Sequence, residues 1–312
     1  MIIKPEMLDC YFSSISLLCK HYGLHDYPYI HMYYQRFHYE RNSAIVGNNI
    51  IALQSNIDFL PVNNDCNFIL NDVYLKSSDY NSICERIDDN LSRNLPVLAV
   101  YEFINCHWTK YYGDPQISVP GEHVHVFSID EIRGDMYICN DPLFAVSNIE
   151  IKKNEICKGA ILFRFLDLVN EKKHLADIFR LMRYFVGDSD ISTIVGQGKM
   201  FYEDISTMNI EQQVQNYTDL SALPLMLKVK NYSKYRYCYL KMVEYIERSY
   251  SIELVSLREK LMELSVKWDY LMLILLKSFI KKEVDKSEIA RRILDDVINL
   301  EIFCVETLQR LQ

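Results

Sequence analysis

Glycine and proline are scarce in this chain of 312 residues, with only 9 and 8 occurrences respectively. Glycine therefore makes up about 3% of the residues, against a typical value near 7%. Because these two residues mark turns and interrupt helices, their scarcity favours long helices. Hydrophobic residues make up 49% of the chain, which excludes a wholly disordered protein.

Other features are also missing. No stretch reaches the ~18 uninterrupted apolar residues of a transmembrane helix, and no secretory signal is visible, so we expect a cytoplasmic protein with no membrane partner. The net charge of −8 argues against a nucleic-acid partner. The nine cysteines include no CxxC pair and no Cys/His ligand spacing, so we expect no metal site and mostly buried thiols in a reducing compartment.

The sequence changes character near residue 165, which predicts two domains, 1–166 and 167–312. The first half mixes helical segments (9–22, 24–39 in part, 78–93) with β-like runs (96–103, 123–130, 136–139, 160–165). This order predicts an α+β domain in which helices pack on an antiparallel sheet. The second half predicts an all-helical domain with helices at about 167–187, 209–216, 221–248, 250–283 and 286–311. Its glycines, Gly187, Gly196 and Gly198, are assigned to one loop.

Cys10 differs from the other cysteines in its position. Asp9 is a good N-cap for the predicted helix, which places the Cys10 sulfur at the positive end of the helix dipole. That environment favours the thiolate, which is the nucleophilic form of cysteine. Cys10 is therefore the candidate nucleophile, although most cysteines near a helix start are inert.

A cysteine nucleophile needs a base and a group that orients the base. His123 and His125 lie on the same face of one predicted strand, since side chains alternate along a strand, and Asp141 ends the next strand. Either histidine can serve as the base. We favour His123, because it starts the strand beside a loop and should be less buried.

Three segments resemble known families. DCYFSSISLLCKHYG and HVHVFSIDEIRGDMYICNDP resemble the cysteine and histidine motifs of the papain-like bacteriocin-leader peptidases. The segment VYEFINCHWTKYYGDP is similar to the aromatic loop of the butirosin-biosynthesis H-type acyltransferases. Those proteins also have a papain-like N-terminal domain and a helical C-terminal half. The resemblance covers residues 5–165 by motif and the remainder only by architecture.

The resemblance implies an acyltransferase of secondary-metabolite or antibiotic biosynthesis. It implies that Cys10 is the nucleophile, His123 (or His125) the base and Asp141 its partner. In the peptidases a glutamine helps to form the oxyanion hole, but Lys4 stands at that position here. Tyr11 replaces the glycine that follows the nucleophile.

The implied reaction moves an acyl group from an acyl carrier protein or peptidyl carrier domain to a small-molecule amine or hydroxyl, through an acyl-cysteine. No cofactor is expected beyond the phosphopantetheine arm of the donor. Lys4 or Tyr11 would then contact the oxyanion or the substrate, and the loop residues Trp108, Tyr111 and Tyr112 would cover the acyl chain or acceptor.

Several alternatives remain open at this stage. The same residues suit a cysteine peptidase or a thioesterase, and a degenerate papain-like scaffold needs no catalysis at all. The helical half has three candidate roles, namely docking a carrier protein, forming a homodimer or completing the acceptor pocket. A carrier protein is acidic, so its docking site should be basic, and one candidate cluster consists of Lys228, Lys230, Lys234, Arg236 and Lys241.

Overall fold

A computed structural model describes the greater part of the chain. The described residues are 10, 13–14, 17, 36–51, 68–75, 80–109, 112–113, 124–168, 179, 182–183, 186, 190–215, 217, 220, 223–285 and 287–311. The chain divides into two compact units, of which the first comprises Met1–His31 and Pro61–Lys173, and the second comprises Met32–Leu60 and His174–Gln312.

The first unit contains an antiparallel sheet. Within the described ranges, its six strands are β1 (Phe68–Tyr74), β2 (Val97–Glu102), β3 (Val124–Arg133), β4 (Met136–Asp141), β5 (Val146–Lys152) and β6 (Ala160–Leu168). The strands lie in the order β1-β6-β2-β3-β4-β5, and every paired neighbour is antiparallel. Helix α1 (Tyr80–Ser92) precedes β2. The predicted α+β class is confirmed at this level.

One face of the sheet packs against α1 to form the core of this unit. Alternate residues of β2 and β3 point into it, as expected from the two-residue period of a strand. Ile83 and Ile87 of α1 meet them from the helix side, four residues apart and on one helix face. This core fixes the position of β3, the strand that carries the candidate base.

The second unit is mainly helical. Its described helices are α2 (Ile191–Thr207), α3 (Ile210–Val214), α4 (Pro224–Tyr250), α5 (Val255–Lys281) and α6 (Glu288–Gln309). The predicted helices at 221–248, 250–283 and 286–311 correspond to α4, α5 and α6. Ser287 caps α6, since its side chain accepts a hydrogen bond from the Ala290 amide at 3.2 Å.

Residues 36–51 belong to the helical unit although they lie early in the sequence. Phe37 and Tyr39 are fully buried there. The Phe37 ring lies 5.1 Å from that of Phe201 in α2 and 5.7 Å from that of Trp268 in α5. The helical unit is therefore completed by a segment that precedes the sheet in the chain.

Three secondary-structure predictions are wrong. Gly196 and Gly198 lie inside α2 and not in a loop, and the predicted helix from residue 167 begins within β6. Strands β1 and β5 were not predicted at all. None of the helices in the described part of the chain is long and apolar enough to cross a bilayer.

Candidate functional site

The helical residues near the N-terminus lie against the first three residues of β3. Cys10, Ser13, Ser14 and Leu17 are helical. The Ser14 hydroxyl donates to the Val126 carbonyl at 3.1 Å, and the Cys10 thiol lies 3.9 Å from the Val124 carbonyl. Cys10 and Ser14 are four residues apart, which is about 6 Å along a helix. Val124 and Val126 are two residues apart, which is about 6.7 Å along a strand, so the two contacts have matching spacing. The helical residues therefore run alongside β3, with His125 between the two contacts.

His125 and Asp141 form a buried pair. His125 Nε2 lies 2.6 Å from Asp141 Oδ2, and both side chains are fully buried. The β3–β4 register pairs Ser128 with Asn140, which places Phe127 opposite Asp141. His125, two residues before Phe127 on the same face, is the diagonal neighbour of Asp141, and such neighbours are within reach of long side chains.

Asp141 is held by further donors. The Trp108 indole Nε1–H donates to Oδ2 at 2.7 Å. The backbone amides of Leu143 and Phe144 donate to Oδ1 at 3.1 and 3.3 Å. Because these groups can only donate, Asp141 accepts from all of them, and it also accepts the Nε2–H of His125. We therefore assign His125 the tautomer in which Nδ1 carries the lone pair.

The lone pair of His125 has no visible partner. Nδ1 is buried, and within the described part of the chain no atom forms a hydrogen bond with it. Phe103 stacks on the imidazole with the ring centroids 4.6 Å apart, and Phe144 contacts it at 5.4 Å. An unsatisfied buried acceptor is unusual in a folded protein, and a role in catalysis is one explanation for it.

The described cysteines fall into two groups. Cys106, Cys139, Cys157, Cys238 and Cys304 are buried, whereas Cys10 and Cys84 are half-buried. Burial raises the pKa of Cys106, and the neighbouring Asp141 and Cys10 raise it further. Cys106 therefore lies within electrostatic reach of both Asp141 and Cys10. This places the candidate nucleophile and the His125–Asp141 pair in one neighbourhood.

Several of the predicted site residues lie in the sheet unit. Cys10, His125 and Asp141 are brought to one region, and Trp108 contacts Asp141 directly. Tyr112 is 61% exposed, and its place over the acyl chain or acceptor stays a prediction. Four predicted residues lie outside the described part of the chain, namely Lys4, Tyr11, Tyr111 and His123, and their roles stay predictions.

Sequence reasoning missed the two aromatic walls of the imidazole. Phe144 follows the Asn-Asp-Pro turn, and the same turn directs two amides to Asp141. Ala145 closes the turn with a positive φ of 53°, a conformation that non-glycine residues seldom adopt. The sequence signal for Phe144 was a turn-forming aspartate followed three residues later by phenylalanine. The same pattern also occurs in ordinary turns, so it did not single out Phe144.

Two of the five residues in the predicted basic docking cluster are buried, namely Arg236 and Lys241. Arg236 is fully buried, and its Nη2 lies 2.8 Å from Glu301 Oε2. Lys241 is also buried and pairs with Glu244 at 2.7 Å. These two side chains are oriented by carboxylates inside the helical unit, so they cannot form part of an exposed patch for an acidic partner.

No known protein family has a model that matches this chain. The curated proteins also contain no match. Within the described ranges, no group of three or more His, Cys, Asp and Glu side chains is placed to hold a metal ion.

Proposed function

We propose that the protein is a cysteine-dependent acyltransferase with a papain-like catalytic unit. Cys10 is the nucleophile, His125 the base and Asp141 the group that orients the base. The acyl donor is a thioester on the phosphopantetheine arm of a carrier protein or domain, and the acceptor is a small amine or hydroxyl compound. Two kinds of support lead to this proposal, namely the resemblance of the sequence motifs and the contacts around His125.

One observation carries the proposal. The fully buried His125 donates from Nε2 to Asp141, at a distance of 2.6 Å, and so presents a buried Nδ1 lone pair. The Cys10 thiol lies beside the backbone of the preceding residue, Val124. A base oriented by a carboxylate and placed near a half-buried thiol is the arrangement that activates a cysteine.

The reaction follows from these positions. Nδ1 of His125 takes the proton of the Cys10 thiol, and the thiolate attacks the thioester carbonyl. Collapse of the tetrahedral intermediate breaks the carbon–sulfur bond to pantetheine, and the leaving sulfur takes the proton from His125. The acceptor amine then attacks the acyl-cysteine and gives a proton to His125, which returns it to the Cys10 sulfur.

The aromatic walls favour transfer over hydrolysis. Phe103 stacks on the imidazole, and Phe144 contacts it from an adjacent direction, with the two phenylalanine centroids 6.2 Å apart. Apolar surface at a base disfavours ordered water there, so a water molecule is a poor competitor for a bound acceptor. A thioesterase or peptidase would use the same acyl-cysteine, so the acceptor has to be identified by experiment.

Intact-mass spectrometry tests the proposal directly. The protein is incubated with a panel of acyl-pantetheine thioesters and then with amines or with buffer alone. We expect an acyl adduct that is absent in Cys10→Ala and retained in Cys84→Ala, which removes the other half-buried described thiol. Release by amines but not by buffer supports transfer, and release by buffer alone indicates a hydrolase.

The base is identified by a matched pair of variants. His125→Asn should slow adduct formation by about 100-fold or more, the usual contribution of a general base. His123→Asn should leave the rate within about threefold if His125 is the base. The opposite ranking would assign the base to His123. An adduct that survives in Cys10→Ala would overturn the whole proposal.

A further inference from the structure

Helix α5 carries an exposed apolar stripe in addition to its buried face. Its exposed large hydrophobic residues are Val255, Met262, Val266, Tyr270, Leu273 and Ile280, which we call the α5 stripe. Their exposed fractions range from 39% for Val255 to 65% for Ile280. At 100° per residue, all six fall within an arc of about 80° on one side of the helix.

The stripe is separate from the face that packs inside the unit. The buried side of α5 includes Leu257, Leu261, Leu264, Trp268, Leu271 and Leu275. A surface helix in a globular protein normally has one apolar side and one polar side. A helix with two apolar sides, one of them exposed along 26 residues, is typical of an element that binds a partner.

Charged residues beside the stripe indicate what this partner is. Glu259 and Glu263 lie near the start of α5, and Lys277 and Lys281 lie near its end, all four exposed. Glu259 and Lys277 are 18 residues apart, as are Glu263 and Lys281, and 18 residues make five whole helical turns. Glu263 and Lys281 therefore lie at one edge of the stripe, and Glu259 and Lys277 lie inside its arc near the same edge, so the charges are acidic at one end and basic at the other.

We propose that the α5 stripe binds the α5 stripe of a second copy of this chain, in an antiparallel pair about a two-fold axis. When the helices cross at Tyr270, the axis places Glu259 opposite Lys281 of the other copy and Glu263 opposite Lys277. Such an axis brings the same edge of both helices together. Each of the two complementary charge pairs therefore occurs twice in the dimer. A partner with one sign of charge would match only one end of the stripe.

Neither the present contacts of these charges nor the available area opposes the pairing. Glu263 contacts Lys260 at 2.8 Å and Lys277 contacts Asp285 at 3.1 Å, but these are surface pairs of the kind that contribute little. About half of each stripe residue is exposed. The stripe therefore offers roughly 600 Å² of accessible surface per copy, or about 1,200 Å² for the pair, which is at the lower end of the area buried in specific protein interfaces.

Sedimentation velocity on the full-length protein tests the pairing. We expect a dimer whose dissociation constant rises at least about tenfold in Leu273→Glu, because the substitution places a charge in the apolar contact. Leu227→Glu is the matched control, since Leu227 is 44% exposed but lies on α4. It should leave the dissociation constant unchanged, and circular dichroism should show that both variants fold.

Charge reversal tests the antiparallel direction. Glu263→Lys or Lys277→Glu alone should weaken the dimer, because each places like charges opposite one another in both symmetric pairs. The double variant restores opposite charges and should recover most of the affinity. Recovery in the double variant is the result that a merely destabilised helix would not give.

A cysteine cross-link tests the register. Tyr270→Cys lies at the crossing point, so two copies should form an intermolecular disulfide when a disulfide oxidant such as oxidised glutathione accepts the two electrons and two protons. Val255→Cys should not, because its copies would lie roughly 45 Å apart. A protein that stays monomeric at high micromolar concentration, or a dimer that Leu273→Glu does not weaken, overturns the proposal.

Discussion

At the scale of single residues, the carboxylate of Asp141 connects the side chains of the site. Its Oδ2 accepts from both His125 and Trp108, at 2.6 and 2.7 Å. The Trp108 ring also meets Phe127 edge-on, at 4.9 Å between centroids. Trp108 therefore fixes the orientation of the carboxylate and, through it, the orientation of the imidazole. This makes it a positioning residue for the proposed reaction.

Replacing Trp108 by phenylalanine should therefore slow the reaction without weakening substrate binding. We expect kcat of Trp108→Phe to fall about tenfold with KM nearly unchanged, because a misoriented base affects the transition state more than the ground state. Steady-state kinetics with the thioester found by mass spectrometry provide the measurement. Tyr112→Phe, on the same loop but exposed, should retain full kcat. A raised KM would instead assign Trp108 to the substrate pocket.

The buried thiols give a second prediction at this scale. Burial, and then the neighbouring Cys84, raises the pKa of Cys157 to about 12. Burial similarly raises the pKa of Cys106 and of Cys139. A raised pKa keeps the protonated form dominant until the pH passes the new value, so at pH 8 only about one Cys157 in ten thousand is a thiolate.

Among the described thiols, iodoacetamide at pH 8 should therefore label Cys10 first and Cys84 more slowly. Cys106, Cys139 and Cys157 should react only after the protein is unfolded in urea. Peptide mass spectrometry at successive times measures the order, and Cys10→Ser identifies the fast phase. Labelling of Cys106 as fast as Cys10 in the folded protein would contradict the assignment of these thiols.

At the scale of elements, the sequence predicted those whose pattern follows from local burial. The apolar run of β2 and the periodic helices α4, α5 and α6 have strong signals, because each buries residues at the period of its own geometry. Strand β5 was missed because it is an edge strand in which only Ile149 and Ile151 are buried. Its polar, exposed positions look like a loop in sequence.

Helix α2 was missed for a different reason. Gly196 and Gly198 reduce helix propensity, so the segment looked like a loop. In the structure, a Cβ on Gly198 would lie 2.8 Å from Ile298 Cγ2 of α6. The glycine thus permits two helices to approach closely, and this tertiary packing overrides the local preference. The N-cap Asp190 and the helical spacing of Ile194, Phe201 and Ile205 were local signals for this helix, but the two glycines were given more weight.

The candidate site was predictable in part. Cys10 and Asp141 were selected by their positions at a helix start and a strand end, and both lie near His125. The sequence favoured His123 only on its expected exposure, because alternation puts both histidines on the same face. The β3–β4 register makes His125 the diagonal neighbour of Asp141, and register depends on pairing over many residues.

At the scale of the whole molecule, the helical unit is built from two separate stretches of chain. The turn at Val46–Asn49 contacts the start of α4 so closely that a Cβ on Gly47 would lie 2.1 Å from the Leu225 amide nitrogen. Gln213 of α3 also accepts from the Val46 amide at 2.9 Å. The early segment is therefore a structural part of the helical unit.

A methyl group at Gly47 should loosen this attachment. We expect Gly47→Ala to lower the free energy of unfolding by about 3 kcal/mol, because backbone atoms cannot move aside as a side chain can. Urea unfolding followed by circular dichroism measures the loss. Gly196→Ala is the control, since a Cβ there meets nothing within 4 Å and should stabilise the helix by about 0.5–1 kcal/mol. Equal effects of the two substitutions would refute this account of Gly47.

The distribution of tryptophan has a practical consequence for spectroscopy. The chain has only two tryptophans, Trp108 in the sheet unit and Trp268 in the helical unit. Trp268 is fully buried and stacks on Tyr232 at 5.0 Å, whereas Trp108 is half-buried and bonded to the Asp141 carboxylate. Each unit therefore contains one natural fluorophore in a distinct environment. In single-tryptophan variants, the emission of Trp108 would report acyl loading near Asp141, and that of Trp268 would report the integrity of the helices.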